Sequence, residues 1–120
     1  MQNTLVFGAS LKQSRYSNLA ILRLREHGER TFAFGPKKGL VGDVQIKTNL
    51  GELPNIDVVT MYMNAERQKQ FYDDILELHP KKVIFNPGTE NPEFYELLQK
   101  NGIAIEIACT LVMLATNQYN

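Results

Sequence analysis

TLVFGASLKQSRYSN, residues 4–18, reads as a strand, a tight turn and the start of a helix. The apolar run Thr4–Phe7 ends at Gly8, a small polar loop follows, and an amphipathic segment begins near Tyr16. A glycine at that point lets the backbone turn sharply and lets a ligand approach closely. The unpaired N–H groups of a helix start, together with the helix dipole, favour an anion. The opening therefore predicts a phosphate-binding strand–helix turn.

Moving outward, the segments alternate in type. Tyr16–His27 is expected to be a helix with an apolar face from Leu19, Ala20, Leu22 and Leu24, closed at Gly28. Thr31–Phe34 is a second strand, stopped by Gly35-Pro36, and Val44–Lys47 a short one. Asp57–Tyr62 is β-branched enough for a central strand. Asn64–Leu78 is a helix capped by Asn64 and ended at His79-Pro80. Lys82–Asn86 is a strand, and Asn91-Pro92-Glu93 supplies a cap, a first-turn proline and an acid for the next helix. Ile103–Ile107 is the last strand and Leu111–Ala115 a closing helix. Such alternation predicts one α/β domain over residues 1–120, with a mostly parallel sheet of five to six strands between two helical layers. In such sheets ligands bind beyond the carboxyl ends of the strands, where strand order reverses. The candidate loops are then 8–17, 35–40, 61–67, 86–91 and 107–110.

Composition narrows the partners. The 120 residues are 43% hydrophobic and 22% charged, with thirteen cationic and thirteen acidic side chains. That balance leaves no basic footprint for nucleic acid and no polybasic membrane signal. No apolar run approaches the ~20 residues that span a bilayer. The first apolar run is only a few residues long and has no signal-peptide pattern. The single cysteine, Cys109, has no partner in the chain, which fits a reducing, cytoplasmic setting.

The first loop lacks the glycines that G-x-G-x-x-G requires, since Ser10 and Gln13 stand in those places. Its hydroxyls and bases (Ser10, Ser14, Ser17, Lys12 and Arg15) nevertheless suit diphosphate oxygens. The competing reading is a polar surface loop with Ser14 or Ser17 as a helix cap. The second loop, Gly35-Pro36-Lys37-Lys38, carries no acid for the two ribose hydroxyls of NAD. Two lysines there favour a phosphorylated ribose: the 3′-phosphate of coenzyme A or the 2′-phosphate of NADP. A solvated lysine pair is the plain alternative. Met61, Tyr62 and Met63 offer a groove wall, with ordinary core packing an equal reading for Met61; Arg67 offers a further cation or is simply exposed, and Asn86 stands beside the tight turn at Pro87-Gly88. Cys109 precedes a helix, where a terminus lowers a thiol's pKa, although a lone cysteine is more often buried and inert. His27 and His79 fall at helix ends away from these loops. No metal-ligand spacing, P-loop or nucleophile elbow occurs.

The chain resembles the small stand-alone CoA-binding domains, which are similar to the nucleotide-binding domain of the succinyl-CoA synthetase α subunit. The resemblance is carried by VFGAS at 6–10 with Arg15-Tyr16-Ser17, the Gly35-Pro36 turn, LGELPNIDVV at 50–59, IFNPGTENPE at 84–93 and Cys109 after the last strand. It implies a Rossmann-like fold and a coenzyme A ligand, with no catalytic histidine of its own. The expected contacts are Gly8, Ala9, Ser10, Arg15, Tyr16 and Ser17 on the diphosphate, and Lys37 and Lys38, after Gly35-Pro36, on the ribose phosphate. Met63 would line the groove, and Asn86 and Gly88 would complete it. The expected activity is binding of coenzyme A or an acyl-CoA. The rivals are an NADP(H)-binding module or minimal reductase, and a protein-interaction domain with a decayed nucleotide site.

Overall fold

The computed structural model describes residues 2–120. Asn3–Phe7 (β1) lies in the middle of a sheet whose other strands are Arg30–Phe34 (β2), Gly39–Val41 (β3), Val44–Lys47 (β4), Val58–Met61 (β5), Lys82–Phe85 (β6) and Ala104–Ile107 (β7). The order is β3-β4-β2-β1-β5-β6-β7. All neighbours are parallel except β3 and β4. The chain builds outward from β1 through β2 and β4, then returns to lay β5 on the other side of β1. Strand order thus reverses at β1, and the crossovers after β1 and β5 leave to opposite faces of the sheet, with a crevice between them.

The sheet has seven strands, one more than the alternation predicts. The added one, β3, turns at Gly42-Asp43 into β4 as a hairpin, with Gly42 at φ 61°. It escapes a pattern reading because it is three residues long and Leu40 is exposed.

Side chains alternate across the sheet as the period of two requires. Leu5, Phe7, Phe34, Val59, Met61, Val83 and Phe85 face a core shared with Ile75, Phe94 and Leu98. These last come from the helices Tyr72–Leu78 (α3) and Pro92–Lys100 (α4). Here α2 denotes the single helical turn Ala65–Gln68. Val6, Ala33, Ile46, Val58 and Ile84 face the other layer, Ile21 and Leu24 of Tyr16–Glu26 (α1) and Met113 and Leu114 of Thr110–Ala115 (α5). The buried apolar face of α1 is Ala20, Ile21 and Leu24, so Ile21 replaces Leu19 and Leu22 as the central contact. Near its start Ser17 and Asn18 are buried as well.

The expected helix 64–78 is interrupted. After α2 the chain tightens into a 3₁₀ turn, Lys69–Phe71, before α3. The turn brings the Phe71 ring edge-on to Phe7 and Phe34, with centroids 5.3 and 5.4 Å apart. Asn64 caps α2 by accepting from the Arg67 N–H at 2.9 Å, and Asn91 caps α4 by accepting from the Phe94 N–H at 3.2 Å. No helix among the described residues is long and apolar enough to cross a membrane.

Candidate functional site

Two glycines let three loops meet at the carboxyl edge of the sheet. Gly8 ends β1 at φ 99°, and a Cβ there would sit 3.1 Å from the Met63 nitrogen. A Cβ on Gly35 would lie 2.3 Å from the Ala9 carbonyl oxygen, closer than any side chain tolerates. The amides of Gly8 and Ala9 donate to the Phe34 carbonyl at 3.0 and 2.8 Å, locking the β1 loop to the end of β2.

Above this junction lies a cleft of about 620 Å³. Its walls come from four strand ends in spatial order: Pro36 and Lys37 after β2, Gly8–Lys12 with Arg15–Ser17 after β1, Tyr62–Asn64 with Arg67 after β5, and Pro87–Thr89 after β6. Of the candidate residues, Gly8, Ala9, Ser10, Arg15, Tyr16, Ser17, Pro36, Lys37, Met63 and Gly88 line one cleft. Gly35, Lys38 and Asn86 do not.

Those three differ in kind. Gly35 serves by close approach, as above. Lys38 stands beside Lys37 in sequence but outside the cleft wall. The expectation that Asn86 completes the groove is corrected by its burial and its partners. It is 2% exposed and fully committed beneath the loops. Its Nδ2 donates to Thr60 Oγ1 at 2.7 Å and to the Met61 carbonyl at 2.9 Å, and its Oδ1 accepts from the Thr110 N–H at 2.8 Å. Asn86 therefore sews β5, β6 and α5 together. Asn86→Ala should cost about 2–4 kcal/mol by stranding three buried partners. In urea titration its midpoint should fall, while ligand affinity measured well below the transition stays within about threefold. An unmoved midpoint with a large affinity loss would return Asn86 to the cleft.

The cleft is electropositive. Lys12, Arg15, Lys37 and Arg67 line it, no carboxylate does, and none of the four forms an ion pair among the described residues. At its centre α1 begins without a side-chain cap: Arg15 occupies the cap position in extended conformation, and neither Ser14 nor Ser17 does the capping. The first amides of a helix have no intrahelical acceptor, and Tyr16 and Ser17, which carry them here, line this cleft. The Gly8 and Ala9 amides, already bonded, contribute shape in place of donors. The site can thus take an anion of several charges, with adjacent apolar surface from Leu11, Tyr16, Met63 and Pro87.

Leu11, Asn64, Pro87 and Thr89 are lining residues that pattern reading leaves out, and each sits inside a loop it selects. Their placement beside glycines and cap residues is the only signal for them. His27 lies at the opposite edge of the sheet, ending α1 with its Nδ1 2.8 Å from the Arg23 carbonyl. His79 ends α3 there in the left-handed conformation, φ 47°.

Tyr62 forms part of the cleft floor. Its hydroxyl is buried near Thr60, Thr110 and Cys109 without a well-formed hydrogen bond. Burial first, then the nearby Cys109, raises its pKa far above the ordinary phenol value. Tyr119, whose hydroxyl lies 2.7 Å from Thr4 Oγ1, is pushed up to about 12, chiefly by burial. In the unfolded chain both phenols ionise near pH 10, so that state loses protons first as pH rises. Their contribution to stability is complete below about pH 10 and drains away as pH climbs toward the folded values. Urea midpoints should be level from about pH 8 to 9.5 and fall steeply by about pH 11.5, less so in Tyr119→Phe. Equal slopes for the two proteins would sink this account of Tyr119.

The comparisons with known proteins agree with this geometry. A family model described as "CoA binding domain" matches residues 2–115. A crystal structure of an uncharacterized protein is 44% identical, with a TM-score of 0.94 over 99% of this chain and 98% of that one. Two further structures share the fold. Cell-free ID.343 from Thermus thermophilus is 22% identical, with a TM-score of 0.88 over 98% of this chain and 90% of its own. A hypothetical protein from Pyrococcus horikoshii OT3 is 21% identical, with a TM-score of 0.85 over 98% of this chain and 83% of its own. No curated protein matches.

Proposed function

Since the chain belongs to the family of CoA binding domains, we propose that it holds coenzyme A or an acyl-CoA in the cleft above β1, as a binding protein without a reaction of its own. The observation that carries this reading is the gathering of four unpaired cations and an uncapped helix start on one carboxylate-free cleft. Coenzyme A brings a diphosphate and a ribose 3′-phosphate, and charge-assisted bonds to such oxygens are the strong ones. The strand order supports a division between them. On this reading the diphosphate meets Ser10, Arg15 and the Tyr16 and Ser17 amides, and the ribose phosphate meets Lys37 one strand away.

Among the described residues no histidine, cysteine or carboxylate lines the cleft, which supports binding over catalysis. A carrier, sensor or presenter of acyl groups in the cytoplasm fits that inventory. The NADP reading shares the phosphorylated ribose, and the lysine after β2 suits it as well.

Calorimetric titration with CoA, NADPH and NADH at one salt concentration separates them. CoA should bind tightest and NADH weakest, because NADH lacks the third phosphate. Tighter binding of NADPH than of CoA would reject the proposal.

A further inference from the structure

A second buried tie beside the cleft belongs to another residue that does not line it. Gln68, the last residue of α2, is completely buried. Its Nε2 donates to the carbonyls of Met63 and Thr89, both at 2.8 Å, and its Oε1 accepts from Asn91 Nδ2 at 2.9 Å. Met63 and Thr89 are neighbouring lining residues, one from the loop after β5 and the other from the loop after β6. The β5–β6 ladder ends at Met61 and Phe85, and no backbone hydrogen bond joins the two loops beyond it. The Gln68 amide is the cross-brace there.

The chemistry of the brace is narrow. Two buried carbonyl oxygens need two N–H donors on one atom at this spot, which a glutamine supplies. A glutamate would set a third acceptor against them, and an asparagine is one methylene short. The far side of the amide is held in turn, because Asn91 also donates to the Tyr72 hydroxyl at 2.9 Å and caps α4. A network with every member bonded is rigid.

The order of strands says what this end of the cleft receives. With Lys37 on the β2 end and the α1 start above β1, a ligand extended across the sheet carries its remaining arm over β5 and β6, about 10 Å further on at the usual strand spacing. The wall there mixes apolar Met63 and Pro87 with the polar, exposed Asn64, since the Thr89 hydroxyl is already donated to the Asn86 carbonyl. That suits an arm of alternating methylene and amide groups. Resting on the coenzyme A reading above, we propose that Gln68 is a positioning residue whose amide sets the gap between Met63 and Thr89, and thereby shapes the subsite for the amide-bearing arm beyond the diphosphate.

The test compares CoA with 3′-phosphoadenosine 5′-diphosphate, which keeps all three phosphates and lacks only the arm. Gln68→Met keeps length and volume and removes the hydrogen bonds. CoA affinity should fall about tenfold or more, while affinity for the arm-free nucleotide stays within about twofold. A parallel loss for both compounds, or an unchanged CoA affinity, overturns the proposal. Amide hydrogen exchange on the native chain tests the subsite without any variant. CoA should slow exchange at residues 62–64 and 88–90 beyond what the arm-free nucleotide does, and equal protection by the two overturns it. A native chain that binds neither compound overturns the CoA reading itself, a result distinct from a native chain that binds both with equal affinity, which removes only the arm subsite.

Discussion

The Arg15→Ala, Lys37→Ala double variant should bind coenzyme A about a hundredfold or more weakly than the native chain. Each side chain lines the cleft without a carboxylate partner, so its charge is free for phosphate. A hydrogen bond to a charged group is worth roughly one to two decades of affinity, and two distant ones add. The single variants should part company. Lys37→Ala should weaken CoA about tenfold or more and leave dephospho-CoA nearly untouched, because only the 3′-phosphate is expected at the β2 end. Arg15→Ala should weaken both ligands alike. Calorimetry with the two ligands reads the difference directly. Equal losses of both ligands in Lys37→Ala would place the third phosphate elsewhere. Because the contacts are ionic and partly open to solvent, the native affinity should also decline as salt rises.

Gly35→Ala should be the most damaging single methyl in the chain. The added carbon would stand 2.3 Å from the Ala9 carbonyl oxygen, a backbone atom that cannot rotate away. Relief requires the end of β2 to part from the β1 loop. That movement strains the bonds from the Gly8 and Ala9 amides to Phe34 and from the Gly35 amide to the Lys47 carbonyl, 3.0 Å long in the native fold. Overpacking with the loss of such bonds costs about 3 kcal/mol. For a chain of this length that lowers the melting temperature by about 10 °C. CoA affinity should fall with it, since the same movement separates Lys37 from the α1 start. A thermal transition within about 2 °C of the native one would show that the junction yields more easily than its geometry allows.

The layered α/β architecture is legible in the local pattern because strand and helix periods are local properties. Val58–Met61 and Val83–Phe85 are buried on both faces, and all but Thr60 are apolar, as a sheet covered on both sides requires. Asn91-Pro92 marks α4 by a cap that reads the same in any fold. The interrupted helix is less legible. The 3₁₀ turn at Lys69–Phe71 exists because Phe71 reaches two rings contributed by β1 and β2, partners more than thirty residues away. The same holds for Ile21 taking the core position on α1, where leucines on either side are equally apolar.

The candidate site divides along the same line. Its loops could be named from the chain alone, since a parallel sheet sends the carboxyl ends of its strands to one edge whatever the side chains. Which side chains face the ligand had to wait for three dimensions. Lys37 lines the cleft while Lys38 does not, and Asn86 turns beneath the loops while Gly88 stays at the surface. Residue type carries no direction. Direction comes from how neighbouring loops meet, here through the absent Cβ atoms of Gly8 and Gly35 and the buried amide of Gln68, each of which joins segments far apart in sequence.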